Sequence, residues 1–399
     1  MVEEARAATP VKKHVSPGAS GLSRRTQRLL RAITLGGVIV IICAMTVAAE
    51  FGARHYERTR ATPPDYFPSI FYPHRRLRYG LVPNLDYYGW FRINSLGFRG
   101  REVSVRKKPG TLRILCIGGS TTFDTGAVGR DLPWPEVLEV DLRRRLGVQD
   151  LEVLNLGIPG ATSLDSLIDL EMRGLDLQPD LLVVYQAQND FIYSIPSPAG
   201  SAPSDLFPQE DRPRGSLERW LTLHSLLYAK TEGRVMDAFE RVIRVLPFAS
   251  APKGPPEDRN HAIEQGLASY QANLMAIAAI AGLHGVPLVL PQVIVPFASD
   301  AASESCPLCL GLSNAYGGLP STVVRSTFDR YNGVLQRLGS QPGVHYIPTD
   351  GFVPATDRYY HDPVHFSPAG SIRMGQKLAE VLTPILASIS SSKQPSAVE

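Results

Sequence analysis

The chain has no basic surplus outside its first residues, and this absence excludes one class of partner. Its formal net charge at pH 7 is +3, from 41 Lys and Arg against 38 Asp and Glu. Residues 1–31 hold seven of the basic side chains and two of the acidic ones, so the remainder of the chain carries 34 against 36. A basic face for the phosphate backbone is therefore missing, and we exclude nucleic acid as a partner.

Cysteine is equally scarce, which limits metal and redox chemistry. Of the four cysteines, Cys43 and Cys116 lie in apolar stretches and are expected to be buried hydrophobic side chains. Cys306 and Cys309 form the motif CPLC, but no second Cys/His pair at zinc-ligand spacing accompanies it. Outside the cytoplasm a local disulfide is expected at this motif, with a redox role as the alternative. We expect neither a metal nor a cofactor.

A long apolar run is the strongest organisational signal. The stretch AITLGGVIVIICAMTVAA, residues 32–49, contains no charge and is close to the length of a membrane-crossing helix, so we predict a transmembrane helix over 32–52. The alternative is a cleaved signal peptide, although a 31-residue leader is longer than usual. The basic residues before the run predict a cytoplasmic tail over 1–31 and an extracytoplasmic location for the rest. They are Arg24, Arg25, Arg28 and Arg31, and they are opposed by Arg54, Arg58 and Arg60.

Beyond an extended or hairpin-forming connecting segment, residues 53–110, the pattern alternates strands with helices. Such alternation predicts an α/β domain over 111–390, with three α/β/α layers and a mostly parallel five-stranded sheet of flavodoxin-like type. The predicted strands are 112–117, 151–157, 180–190, 286–295 and 344–348, and the predicted helices are 134–147, 163–177, 263–281, 328–338 and 367–385.

Two regions depart from this alternation. Residues 192–260 combine a Pro/Ser-rich stretch with apolar helical stripes, and we interpret them as a helical insertion between the third and fourth strands. The stripes are expected to pack on the main domain, with covering a substrate cleft or resting on the membrane as alternatives. Residues 391–399 are expected to be a disordered tail.

Polar groups follow the predicted strands at the sheet edge where α/β proteins bind ligands. Ser120 comes after the first strand, Gly157 and Gly160 lie in the loop after the second, and Gln188, Asn189 and Asp190 end the third. Asp362 and His365 precede the last helix. Singly, each has a structural explanation as a cap or turn residue. Together they supply the hydroxyl, the base with its orienting carboxylate, and the oxyanion donors that a serine hydrolase needs.

Four blocks, GGSTT, NLGIPGATS, QND and DPVH, occur in order over about 110–385, and in them the sequence resembles the SGNH hydrolase superfamily of GDSL-type esterases. The preceding NSLGFRG is similar to the corresponding segment of membrane-anchored bacterial members. The resemblance implies Ser120 as nucleophile, His365 as general base and Asp362 as its orienting residue. It also implies oxyanion donors from the backbone N–H of Ser120 and Gly160 and from the Asn189 amide. Gly119 departs from the family pattern, which commonly has Asp before the serine.

These observations predict a membrane-anchored, extracytoplasmic serine esterase that acts through an acyl-enzyme. Its expected substrate is an ester-bearing small molecule, glycan or lipid, with O-acetyl groups of envelope polysaccharide first and lipid esters next. One alternative is an O-acyltransferase that uses the same triad on a sugar hydroxyl. Another is a non-catalytic envelope glycan-binding protein, because a fold alone does not fix a function.

Overall fold

The computed structural model describes residues 23–59, 70–129, 132–195, 256–296 and 315–393, apart from positions 75 and 88, together with a few positions between 220 and 231. The predicted disulfide at Cys306 and Cys309 lies outside the described residues. The same holds for residues 1–22 of the predicted basic tail, most of the 192–260 insertion and residues 394–399 of the predicted tail.

The first helix, α1 (Arg24–Thr59), is 36 residues long and extends beyond the predicted 32–52 at both ends. At 1.5 Å per residue this corresponds to about 54 Å, longer than the roughly 30 Å hydrocarbon core of a bilayer. Its apolar side chains are exposed, among them Val40 and Met45. The helix is thus long and apolar enough for a membrane span or a signal sequence. Up to Gly52 it forms a compact unit separate from residues 53–399.

The connecting segment forms two short antiparallel hairpins. Strands β1 (Phe71–Pro73) and β2 (Tyr79–Leu81) pair with each other, as do β3 (Leu85–Tyr87) and β4 (Phe91–Ile93). After β4, Arg99 makes isolated bridges to Ile93 and to Asn155. The second hairpin is thereby joined to the edge of the main sheet.

The main sheet has five strands, all parallel to their neighbours. They are β5 (Leu112–Gly118), β6 (Leu151–Asn155), β7 (Leu181–Tyr185), β8 (Leu288–Pro291) and β9 (Val344–Ile347). Their order in the sheet is β6-β5-β7-β8-β9. Every residue of β5 and β7 is buried, as expected for inner strands covered on both faces. The predicted fold class is confirmed, but β7 ends five residues before the predicted Asp190, because a helix begins at Gln188.

Helices pack in two groups on the sheet. The helices after α1 are α2 (Ser120–Phe123), α3 (Trp134–Leu146), α4 (Ser163–Asp169), α5 (Gln188–Ser194), α6 (Pro256–Leu283), α7 (Ser321–Leu338) and α8 (Pro368–Lys393). One group pairs α3 with α8, and the other centres on α6, which contacts α4, α5 and α7. A π-helical turn (Leu170–Gly174) and a 3-10 turn (Leu175–Leu177) prolong α4.

The last helix runs to Lys393, past the predicted end at Ile385, although Pro384 lies inside it. Proline removes a helical N–H and disfavours a helix interior. Here Leu382 and Leu386 are both fully buried on either side of the proline, so the apolar stripe continues through it. Packing of this stripe outweighs the missing hydrogen bond.

Candidate active site

Strand β5 delivers Ser120 to the carboxyl edge of the sheet. The strand ends at Gly118, and α2 begins at Ser120 with Gly119 as its N-cap. A Cβ on Gly118 would lie 2.3 Å from the carbonyl oxygen of Tyr185, and a Cβ on Gly119 would lie 2.6 Å from the Nδ2 atom of Asn189. Gly118 requires glycine because a backbone atom occupies the space of a side chain, whereas a side chain at position 119 would have to displace the Asn189 amide.

Asp362 and His365 meet Ser120 in one line of hydrogen bonds. The Nε2 atom of His365 is 2.8 Å from Ser120 Oγ, and its Nδ1 atom is 2.6 Å from Asp362 Oδ2. The other carboxylate oxygen, Oδ1, accepts the backbone N–H groups of Val364 at 2.7 Å and of His365 at 2.8 Å. The structure thus brings together three residues that the sequence separates by up to 245 positions.

The electrostatics of this arrangement suit a base at neutral pH. Burial alone would lower the pKa of His365, but the charge and hydrogen bond of Asp362 outweigh it and raise that pKa above its ordinary 6.5. Burial likewise opposes ionisation of Asp362, yet the His365 charge and the hydrogen bonds it receives lower its pKa to about 2. Asp362 is therefore ionised at neutral pH and stabilises a protonated imidazole.

The predicted oxyanion donors lie close to the serine block. Gly160 has φ +80°, a left-handed conformation that favours glycine, and in the described part of the chain its N–H has no hydrogen-bond partner. Asn189, in the first turn of α5, donates one Nδ2 hydrogen to the carbonyl of Ala161 at 2.8 Å and packs against Gly119. The other predicted donors are its second amide hydrogen and the N–H of Ser120, which lies at the start of α2.

The residue after Asn189, Asp190, is a buried carboxylate with several hydrogen bonds. The oxygens of Asp190 accept the N–H and hydroxyl of Ser163 at the start of α4 and an amide hydrogen of Gln186. Burial raises the pKa of Asp190 to about 6, although these hydrogen bonds counteract the shift. Asp190 therefore links the asparagine block to the helix that follows the glycine loop.

Sequence reasoning missed Arg99, which holds the helix of the nucleophile. Its guanidinium is buried and donates to the carbonyls of Phe123 at 2.8 Å and Asp124 at 2.7 Å, and also to that of Ala127. The carbonyls of Phe123 and Asp124 lie at the C-terminus of α2, where backbone acceptors have no helical partner, and that of Ala127 lies in the turn that follows. The only sequence signal for this contact is the position of Arg99 in NSLGFRG.

Asp124 was also missed, although it lies four residues after Ser120. Its Oδ2 atom accepts the backbone N–H of Trp134 at 2.8 Å, while the indole of Trp134 donates to the carbonyl of Thr121 at 2.8 Å. Burial raises the pKa of Asp124 to about 6 despite the nearby charge of Arg99. Asp124 and Trp134 therefore fix α2 to the start of α3.

Comparison with protein-family models identifies the family of the chain. Residues 116–371 match the model of the GDSL-like lipase/acylhydrolase family, which covers more than half of the chain. The chain belongs to this family. As a GDSL hydrolase it is a serine hydrolase that acts on ester bonds, and the match includes the segments of Ser120, Gly160, Asn189, Asp362 and His365.

Solved GDSL-family structures are similar to this hydrolase at low identity. A lipase/acylhydrolase from Enterococcus faecalis is 16% identical, with 69% of this chain and 97% of that chain covered and a TM-score of 0.39. An acetylxylan esterase from Geobacillus stearothermophilus is 14% identical, with 69% and 95% covered and a TM-score of 0.39. Comparison with curated protein sequences finds no match.

Proposed function

We propose that the protein is an esterase in which Ser120, His365 and Asp362 form the catalytic triad. The observation that carries the proposal is the unbroken pair of hydrogen bonds from Asp362 through His365 to Ser120, 2.6 and 2.8 Å long. His365 takes the Ser120 proton as Oγ attacks the ester carbonyl carbon, and the carbonyl oxygen becomes an oxyanion. Asp362 keeps Nδ1 protonated, so that Nε2 is free to accept the proton.

The oxyanion is bound by three donors: the backbone N–H of Ser120, the backbone N–H of Gly160 and the Asn189 amide. When the tetrahedral intermediate collapses, the protonated His365 gives its proton to the departing alkoxide. Water, deprotonated in turn by His365, then attacks the acyl-Ser120 ester and releases the acid. Donors fixed in advance by the fold are the largest contributors to such catalysis.

The substrate is proposed to be an O-acetyl group of a cell-envelope glycan. Support comes from α1, whose length and exposed apolar surface suit a membrane anchor, and from the arginines in its first turns, before the apolar run, which favour an extracytoplasmic active site. The acetyl ester is small, and the sugar leaves as the alcohol. In this proposal the enzyme acts on polymers at the extracytoplasmic face of the membrane that anchors it.

The test is hydrolysis of p-nitrophenyl acetate by the full-length protein in detergent. Ser120→Ala should reduce kcat by about 10⁴-fold or more while leaving the unfolding temperature unchanged. The matched control is Ser326→Ala, an exposed serine on α7 whose hydroxyl donates to the Val323 carbonyl at 3.0 Å. A fluorophosphonate should label Ser120, as located by mass spectrometry, and hydrolysis that survives in Ser120→Ala would refute the mechanism.

The substrate is tested separately with an O-acetylated envelope polysaccharide. Free acetate released in a Ser120-dependent reaction is the expected product. Acetyl groups that instead appear on added unacetylated glycan would show transfer rather than hydrolysis. An active enzyme on p-nitrophenyl acetate that leaves the polysaccharide unchanged would contradict the glycan substrate alone.

A further inference from the structure

Two adjacent residues of the connecting segment bind the loop after β6. The hydroxyl of Tyr79 donates to the carbonyl of Pro159 at 2.9 Å, and the guanidinium of Arg78 donates to the carbonyl of Gly160 at 2.9 Å. The carbonyl of Pro159 belongs to the same peptide group as the N–H of Gly160. Tyr79 therefore contacts the peptide that carries a proposed oxyanion donor, from its opposite side.

This contact determines the direction of the donor. A trans peptide group is planar, and its carbonyl and N–H point in opposite directions, so fixing the oxygen of Pro159 also fixes the hydrogen of Gly160. Glycine itself adds little restraint, because without a Cβ it occupies positive and negative φ about equally. The carbonyl hydrogen bond also polarises the peptide and strengthens its N–H as a donor.

Arg78 binds the next peptide and makes several further contacts of its own. Its guanidinium lies 3.2 Å from Asp165 Oδ2, which also accepts the N–H and hydroxyl of Thr162 in the capping box of α4. The same guanidinium lies 5.1 Å from the ring centroids of Tyr79 and Tyr193. Both peptides that flank Gly160 are thus bound by side chains with several contacts of their own.

We propose that Tyr79 and Arg78 are positioning residues for the oxyanion site. Tyr79 aims the Gly160 N–H at the developing oxyanion through the Pro159 carbonyl, and Arg78 fixes the peptide on the other side of Gly160. Neither residue touches the substrate. The inference rests on the proposed function, in which the Gly160 N–H binds the oxyanion.

The test is Tyr79→Phe, which removes only the hydroxyl and keeps the ring that packs edge-on against Phe71 at 5.0 Å. Complete loss of an oxyanion donor costs about 10²–10³ in kcat, so a donor that is loosened but present should cost about tenfold. We expect KM for p-nitrophenyl acetate to stay unchanged. Affinity for an aryl boronic acid, whose adduct with Ser120 is tetrahedral, should fall by the same factor as kcat.

Two controls separate positioning from a general structural effect. Tyr72→Phe removes a hydroxyl from the neighbouring strand β1 and should leave kcat unchanged. The Tyr72 ring packs edge-on against that of His74, with 5.9 Å between the ring centroids. Arg78→Lys, which keeps one donor for the Gly160 carbonyl, should retain more activity than Arg78→Met. The midpoint of the pH–rate profile should not move in Tyr79→Phe, because His365 keeps its partners.

Wild-type kcat and boronic acid affinity in Tyr79→Phe would overturn the inference. So would a loss shared equally by Tyr72→Phe, or a shifted pH midpoint, since either would indicate a structural effect on the whole site. Failure of the proposed function is distinguishable, because it would appear as hydrolysis that persists in Ser120→Ala.

Discussion

Gly119 offers a test that runs against the family pattern, because restoring the usual Asp at this position should damage the enzyme. A Cβ at position 119 would lie 2.6 Å from Asn189 Nδ2, 0.8 Å inside the 3.4 Å at which ordinary contact begins. It would also lie 3.2 Å from the carbonyl oxygen of Ala161 and 3.4 Å from Gln186 Oε1, two acceptors that would repel a carboxylate. We therefore expect Gly119→Asp and Gly119→Ala to push the Asn189 amide aside.

The magnitude follows from what that displacement removes. A shift of nearly 1 Å in a group that must meet the oxyanion costs about 10²-fold in rate, close to the loss of one oxyanion donor. The displaced amide also loses its hydrogen bond to Ala161, which costs about 1 kcal/mol of stability. The expected result for Gly119→Ala is therefore a kcat about 10²-fold lower, with a small decrease in the free energy of unfolding.

The assay is kcat for p-nitrophenyl acetate, compared in a double-mutant cycle with Asn189→Ala. If Gly119→Ala acts through the Asn189 amide, the double variant should be no slower than Asn189→Ala alone. Additive losses would show that Gly119 acts by another route. Wild-type kcat in Gly119→Ala or Gly119→Asp would refute the reasoning outright.

Three further predictions concern charge. The value of kcat/KM should rise with pH through a midpoint above 6.5, because His365 must be neutral to accept the proton and its pKa is raised. Asp362→Asn should lower that midpoint, and a wild-type midpoint below 6.5 would contradict the argument. Arg99→Met should lower the free energy of unfolding in urea by about 2–4 kcal/mol, because it removes three hydrogen bonds from a buried guanidinium to backbone carbonyls. A loss below about 1 kcal/mol would contradict this role of Arg99. The pKa of Asp190 is about 6 in the folded protein, against an ordinary value of 3.8. The folded state therefore binds more protons than the unfolded chain between these values, so the free energy of unfolding should fall as the pH rises from about 4 to about 6. Asp190→Asn should flatten the stability–pH curve in this range, and an unchanged slope would exclude this role of Asp190.

The strands and their polar ends could be predicted because each is a local pattern. A short apolar run that ends on Gly118 and Gly119 identifies β5 by itself, and the parallel sheet then brings the ends of β5, β6 and β7 to one edge. The proximity of Ser120, Asp362 and His365 follows from that topology together with the start of α8. Their individual roles remain predictions until the variants are measured.

The supporting residues could not be predicted in this way. Arg99, Arg78 and Tyr79 donate to backbone carbonyls, and a carbonyl has no residue type that a sequence could reveal. The contacts also span 24 to 82 positions, so no local spacing indicates them. The start of α5 at Gln188 could not be predicted either, because the buried residues of β7 are followed directly by buried residues of the helix. The contact between Asp190 and Ser163 also joins residues that are distant in the sequence.

The hairpins before the first sheet strand have a practical consequence for where the chain can be cut. The family match begins at residue 116, so a truncated protein designed from that boundary would omit Arg78, Tyr79 and Arg99. The carbonyl of Gly160 would then lose its hydrogen bond from Arg78, and that of Phe123 its hydrogen bond from Arg99. The smallest autonomous enzyme should therefore begin before β1, which makes residues 70–110 part of the catalytic domain and not a dispensable spacer.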